Sequence, residues 1–373
     1  MDNKIPIGST VGIIGGNEKG RALAIAAKKM GMNVGLLDPD SKSPASRFAD
    51  WQITADFFSE EAMAEIAQNC QVVTYANEDL PPEELREFSF RVNLPQGADF
   101  LEITQNRSFE KAYFEDNNLV VAPYATIVLV TDIQEAIDGI GYPCVLKLSE
   151  KKSLGRGQIV LYSPADLRFA LDLLRFGPCV LEAWIPKERE ITATVVRNEA
   201  GEISVFPVVE TVYRKNQLHQ ALLPARIEPE IELEAQRIAT VLAENFGVCG
   251  TLTVELFVGK LGALFINEMS SVMPTSAFIF EKTCTTDLAT QHWRSLFNWS
   301  LGKSKVLTGG VMVSVLGSEA LAVADYVSES SVVDFQYYQR EEYLANDRIG
   351  QLTILGDDLY ETLENLYQTK IWE

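Results

Sequence analysis

The chain has 373 residues, 47% of them apolar and 23% charged, which is enough for two or three domains with a substantial core. Its formal charge of −20, from 52 acidic against 32 basic residues, argues against nucleic acid or an anionic membrane as partner, because both require a basic footprint. Five scattered cysteines without a CxxC pair, two histidines, no GxSxG turn, no N-terminal apolar signal and no apolar run of about 18 residues point to a soluble cytoplasmic protein with reduced core cysteines, and away from histidine-rich metal sites and serine hydrolases.

Residues 9–16 read as a buried strand entering a glycine turn, 21–30 as a helix closed by Gly31, and 34–38 as a second buried strand ending on Asp38. This βαβ unit predicts a parallel sheet. It is a poor dinucleotide fingerprint: Gly15-Gly-Asn17-Glu18-Lys19-Gly20 lacks the middle glycine, and Glu18 would face the pyrophosphate. A helix near 59–69, a strand at 72–75 and a short helix opened by Pro81-Pro82 complete a first unit of about 100 residues.

A helix over 108–117, a strand at 124–128 and a helix at 132–139 follow. Gly141 to Lys147 is a strand, and the basic, glycine-containing loop 149–158 returns into a strand at 159–162. Such a loop can close over phosphates; the plainer alternative is a surface hairpin. Further strands are expected at 179–185, from Glu188 onward and at 203–209. A long loop containing His219 and a helix at 230–246 come next.

The most informative stretch is a hairpin, Thr251 to Val258 and Ala263 to Glu268, with a carboxylate inside each apolar run at Glu255 and Glu268 and the amide of Asn267 beside the second. Buried carboxylates need a counter-charge, and two of them with an extra oxygen suit a hard divalent ion such as Mg²⁺. The alternative is a pair of carboxylates at a solvated sheet edge. Strict strand alternation puts Asn267 and Glu268 on opposite faces, so both can serve one site only if the strand bends, bulges or ends there.

The order and spacing of several short stretches resemble the ATP-grasp fold, and within it the N5-carboxyaminoimidazole ribonucleotide synthetase family: Val11 to Gly16, Leu36 to Pro39, Gln105 to Arg107 with Glu110-Lys111, Gly141 to Lys147, Gly155 to Gln158, Val180 to Glu182, Arg189 to Ile191, Phe206 to Glu210, Pro224 to Arg226, Asn267-Glu268 and Ser300 to Gly302. The resemblance implies an α/β fold with an α+β centre. It would comprise an N-terminal parallel-sheet pre-ATP-grasp domain (1–105), an ATP-grasp domain (106–300) with a lid at 148–160, and a small C-terminal domain (301–373).

It also implies ATP and Mg²⁺ as cofactors. Lys111 and Lys147 would hold phosphates, Gly155, Arg156, Gly157 and Gln158 would cover them, and Glu182 with the backbone of Ala183, Trp184 and Ile185 would read adenine. Glu190 would accept from the ribose, and Glu255, Glu268 and Asn267 would bind the metal. The family reaction makes N5-carboxyaminoimidazole ribonucleotide from bicarbonate and 5-aminoimidazole ribonucleotide through carboxyphosphate, in a homodimer.

Departures gather on the acceptor side. An arginine and two histidines of the family pattern are replaced by Val272, Pro274 and Phe278, and a glutamine and an arginine near the substrate phosphate by Glu18 and Asp347, which should repel it. Acceptor candidates are Glu18, Arg21, Glu78, His219, Arg226, Thr275, Ser276 and Arg348; no residue stands out as catalytic. Ligation of a different acid or amine, or ATP binding without turnover, are the alternatives.

Overall fold

The computed structural model describes residues 4–151, 157–330, 333–338 and 342–372. The first unit contains β1 (Thr10–Ile14), α1 (Glu18–Lys29), β2 (Asn33–Leu37), β3 (Trp51–Ile53), α2 (Glu60–Asn69), β4 (Val72–Tyr75), α3 (Pro82–Ser89) and α4 (Asp99–Gln105). Its sheet runs β3-β2-β1-β4 and is fully parallel. Asn17 caps α1 by accepting from the N–H groups of Lys19 and Gly20. Gly20 is required because a Cβ there would lie 2.1 Å from the Gly15 carbonyl oxygen, which draws α1 close to the β1 turn.

The second unit holds α5 (Arg107–Asp116), β5 (Tyr124–Ile127), α6 (Val130–Ile140), β6 (Cys144–Leu148), β7 (Gln158–Leu161), α7 (Leu167–Leu174) and β8 (Cys179–Ala183). Its antiparallel sheet, β5-β8-β6-β7, carries α6 and α7 on one apolar face through Ile133, Ile137, Ala170 and Leu173.

The remaining strands form one large sheet. They are β9 (Arg189–Arg197), β10 (Ile203–Val205), β11 (Val209–Arg214), β12 (Gln217–Leu223), β13 (Gly250–Val258), β14 (Leu264–Ser270), β15 (Gly310–Leu316), β16 (Val333–Tyr337) and β17 (Arg348–Leu355). The order is β14-β13-β9-β11-β12-β15-β17-β16, with β10 also on β9. Helices α8 (Pro229–Phe246), α9 (Phe280–Thr283), α10 (Leu288–Leu296), α11 (Ala320–Glu329) and α12 (Leu359–Gln368) complete the fold.

Two expectations need correction. The segment read as a long loop around His219 is the hairpin β11–β12, turned by Lys215 and Asn216, both with positive φ (50° and 62°). Paired left-handed residues suit a tight hairpin, but without glycine the turn leaves little sequence signal. The C-terminal segment does not build a sheet of its own: β15 pairs with β12, so its three strands extend the central sheet. A small core around Leu222, Val313, Leu352 and Leu366 lies over that extension.

One apolar cluster ties the units together, running from Val11 and Leu23 through Phe206 and Trp293 to Met312. The Trp293 indole N–H donates to the Leu23 carbonyl at 2.8 Å. His292 is buried between Thr74 of β4 (2.9 Å) and Thr251 of β13 (3.1 Å), and burial pushes its pKa down to about 4. All five cysteines are free and buried, as the composition suggested. Among the described residues no helix is long and apolar enough to cross a membrane.

Candidate active site

The hairpin β13–β14 resolves its own geometric difficulty. Glu255 stands opposite Glu268, but the next pair is Leu256 with Ile266. Asn267 is therefore the extra residue of a β-bulge, the condition under which it and Glu268 can face one site. Both line a cavity of about 300 Å³ together with Glu255.

Across this cavity lies the sheet β5-β8-β6-β7. Lys147 from β6 donates to Glu182 Oε2 at 3.0 Å and to Asn267 Oδ1 at 3.2 Å, so it bridges the two walls. The other Glu182 oxygen is 3.2 Å from the Lys111 ammonium. Burial disfavours the Glu182 charge, yet Lys147 and Lys111 hold its carboxyl below the usual range.

This arrangement bears on two expected roles. Lys111 is 1% exposed and sits behind Glu182 rather than on the cavity wall. Glu182 lines the cavity between the two lysines, with one oxygen hydrogen-bonded to Lys147 and the other ion-paired with Lys111. The N–H groups of Ala183 and Trp184 donate to the carbonyls of Pro123 and Pro143, and Ala183, Trp184 and Ile185 all line the cavity. Glu190 lines the cavity and pairs with Lys187 at 2.6 Å. Gln158 also lines it, and the Gly157 carbonyl accepts from Leu148. Gly155 and Arg156 lie outside the described residues.

Sequence reasoning missed Arg107, Lys151 and Tyr213. Arg107 lines the cavity and donates to Glu268 Oε2 at 3.1 Å. It precedes Lys111 by one helical turn, so helical spacing pointed to both without telling which reaches the cavity. Lys151 lies 3.3 Å from Glu268 and 2.8 Å from the buried Glu110. The Tyr213 hydroxyl donates to Glu255 Oε1 at 3.1 Å; its strand had been read as loop.

The two hairpin carboxylates are unequal. Burial, then the charge of Glu268, pushes the Glu255 carboxyl up to about 8. Burial also opposes the charge of Glu268, but Lys151, Arg107 and Lys147 keep it well below the usual range. A desolvated carboxylate pair with an amide oxygen alongside is a donor set that a hard divalent cation satisfies. Among the described residues no group of three or more His, Cys, Asp or Glu side chains is placed to hold a metal ion, so the hairpin offers two carboxylates and an amide rather than such a cluster.

A second cavity of about 460 Å³ shares Tyr213, Glu255 and Glu268 with the first. Glu78, Thr275, Ser276 and Arg348 line it, as does Lys19, which was not anticipated. Glu18 does not line it but ion-pairs with Arg348, so its expected repulsion of a phosphate is already neutralised. The Asp347 carboxylate accepts from the Leu344 N–H in an exposed loop and does not line the cavity.

Besides Glu18, three acceptor candidates are not brought to this cavity. Arg21 lies over the Phe48 ring and donates to Gln336 Oε1. His219 is a half-buried residue whose neighbours Gln217 and Leu218 line the cavity in its place, and burial pushes its pKa down to about 4. Arg226 grips Glu210 with two nitrogens at 2.6 and 3.0 Å, beside Arg189. Of the three, Arg226 is held by its carboxylate partner, whereas the buried His219 Nε2 and Arg21 Nε have no hydrogen-bond partner among the described residues.

Residues 8–105 match the ribonucleotide synthetase preATP-grasp domain, and residues 112–277 match the ATP-grasp domain. The N5-carboxyaminoimidazole ribonucleotide synthase of Bacillus subtilis (strain 168) is 33% identical over 359 residues, which covers 96% of this chain and 94% of that protein. Among solved structures, an ADP complex of an N5-carboxyaminoimidazole ribonucleotide synthetase superposes with a TM-score of 0.97 at 36% identity, covering 100% of this chain and 99% of the other. The ADP complex of the Staphylococcus aureus N5-carboxyaminoimidazole synthetase gives 0.94 at 28% identity, with 98% of each chain covered. With its bulged carboxylate hairpin between two cavities, the chain belongs to the N5-carboxyaminoimidazole ribonucleotide synthase family of ATP-grasp ligases.

Proposed function

We propose that this protein joins bicarbonate to 5-aminoimidazole ribonucleotide at the expense of ATP. A bicarbonate oxygen attacks the γ-phosphorus and ADP leaves, giving carboxyphosphate. The substrate amine then attacks the carbonyl carbon, inorganic phosphate departs, and the nitrogen loses a proton. The observation that carries this reading is the wall shared by the two cavities: one strand pair, holding Glu255 and Glu268, faces a cleft lined by Lys147 and Arg107 on one side and a pocket of mixed charge, with Lys19, Lys151 and Arg348 beside Glu78, on the other.

In this reading Lys147 and Arg107 offset the charge of the terminal phosphates, Glu182 fixes where Lys147 points, and Glu190 accepts from the ribose. Catalysis is mostly positioning and charge neutralisation. Glu255, Asn267 and Glu268 would hold Mg²⁺, which when bound supplies charge neutralisation at the phosphate oxygens. On the acceptor side Val272 and Phe278 are core residues, 2% and 3% exposed. Donors to the acceptor are therefore Thr275, Ser276, Lys19 and Arg348.

The test is ADP release by the purified protein. Release stimulated by bicarbonate and 5-aminoimidazole ribonucleotide together supports the proposal; ATP binding without that stimulation overturns it. The absence of the family's arginine and histidines at Val272, Pro274 and Phe278 favours, as a second reading, a less charged amine. Stabilisation of the melt by 5-aminoimidazole ribonucleotide alone among candidate amines would remove it. The proposal extends to a cytoplasmic homodimer, which would elute at about twice the 41.4 kDa of the chain.

A further inference from the structure

The second cavity has three cationic side chains, Lys19, Lys151 and Arg348, and each is already paired. Lys151 belongs to the hairpin end through Glu110 and Glu268. The acceptor amine has to reach this end, where the two cavities meet. The phosphate of a ribonucleotide must then lie toward Lys19 and Arg348.

Those two cations are held by carboxylates that each have a second source of stabilisation. Glu18 pairs with Arg348 but also occupies the first turn of α1, where the helix dipole favours a negative charge. Glu78 pairs with Lys19 at 3.2 Å and also accepts from the Ser270 hydroxyl at 2.6 Å. Losing its cation strands neither carboxylate. A phosphomonoester dianion offers each cation a stronger partner than the carboxylate it leaves.

We propose that Glu18 and Glu78 are resident counter-ions of the acceptor's phosphate subsite, displaced from Arg348 and Lys19 when a phosphomonoester enters. The inference rests on the functional reading above and adds a specificity rule. A dianionic phosphate drives the exchange, whereas the same nucleoside without its phosphate does not. Glu18 and Glu78 thus set how tightly the acceptor binds without touching the reacting atoms.

The test compares Glu18→Gln and Glu78→Gln with the unaltered protein. In steady-state kinetics, Glu18→Gln should lower the KM for 5-aminoimidazole ribonucleotide about fivefold, equivalent to about 1 kcal/mol, with kcat and the KM for ATP unchanged. Glu78→Gln should shift the same KM in the same direction. Inorganic phosphate, titrated calorimetrically, should bind more tightly to both variants, and the dephosphorylated nucleoside should bind equally to all three proteins. Unchanged or weaker phosphate binding in both folded variants overturns the exchange. Phosphate binding needs no turnover, so it separates the two ideas: tighter phosphate binding by the variants, together with no ribonucleotide-dependent ADP release from the unaltered protein, supports the exchange and sinks the functional reading instead.

Discussion

The two cavities that meet at the hairpin are built differently. Around the ATP-side cleft the charges interlock through buried groups: Lys147 on one wall binds Asn267 and Glu182, with Lys111 behind Glu182, and Arg107 on the other binds Glu268, which Lys151 of the neighbouring cavity links to Glu110. Removing one member of such a chain leaves a desolvated charge without its partner, which is strongly destabilising. The acceptor-side cavity is assembled from the first turn of α1, the end of β14 and the start of β17, with more exposed pairs and two core hydrophobes at positions where the family pattern has donors. The first cavity constrains its residues through one another; the second tolerates replacement because its parts are held by separate elements.

Substitutions can break that contrast. Glu268→Gln removes a metal donor and the partner of Arg107 and Lys151, so MgATP-dependent turnover should fall about 100- to 1,000-fold, as on losing one preorganised transition-state contact. Retained turnover in a folded variant would show that the ATP side is as tolerant as the acceptor side. Restoring an arginine at the acceptor side should fail for a structural reason: Val272→Arg places a charge in the core formed with Ile14, Tyr75 and Leu94. Chemical denaturation should show a loss on the order of 3 kcal/mol. A stable Val272→Arg protein with improved acceptor binding would mean that this segment can still open into the cavity.

His292 sharpens the picture of how the units are joined. It is neutral in the fold, so its contribution is fully present above pH 6.5, where the unfolded chain is also neutral. It is lost as pH falls from 6.5 toward about 4, because only the unfolded chain then takes up the proton. The full loss is on the order of 3 kcal/mol, measurable as the pH slope of denaturation, and His292→Gln should flatten that slope. The smallest effect is expected at the cavity junction. Tyr213→Phe removes the hydrogen bond to Glu255 and should raise the Mg²⁺ concentration for half-maximal activity by about fivefold, from a bond worth about 1 kcal/mol. No change would mean that Glu255 is positioned by its strand alone.

Much of the ATP side was legible because its chemistry is anomalous in sequence. Carboxylates inside the apolar runs around Glu255 and Glu268 flag a site, and period-two reasoning required the strand to bend, bulge or end where Asn267 forms a bulge. The N-terminal βαβ unit was legible from buried runs and a glycine turn. What could not be read depends on tertiary partners. Lys111 and Arg107 share a helix, and only the packing of β8 shows that Glu182 stands between Lys111 and the cavity. His219 lies in a strand whose hairpin turns without glycine, and Arg226, just past that strand, is claimed by Glu210 of the facing strand. The pairing of Glu18 with Arg348 spans 330 positions, so a charge expected to repel a phosphate proved to be already paired.

The position of the metal tests the account at its centre. Crystals grown with Mn²⁺ in place of Mg²⁺ and a non-hydrolysable ATP analogue should give an anomalous peak bonded to carboxylate oxygens of Glu255 and Glu268, with the Asn267 amide oxygen beside it. A nucleotide seated in the cleft with its metal bound away from both carboxylates would contradict the assignment of the bulged hairpin as the centre of the reaction.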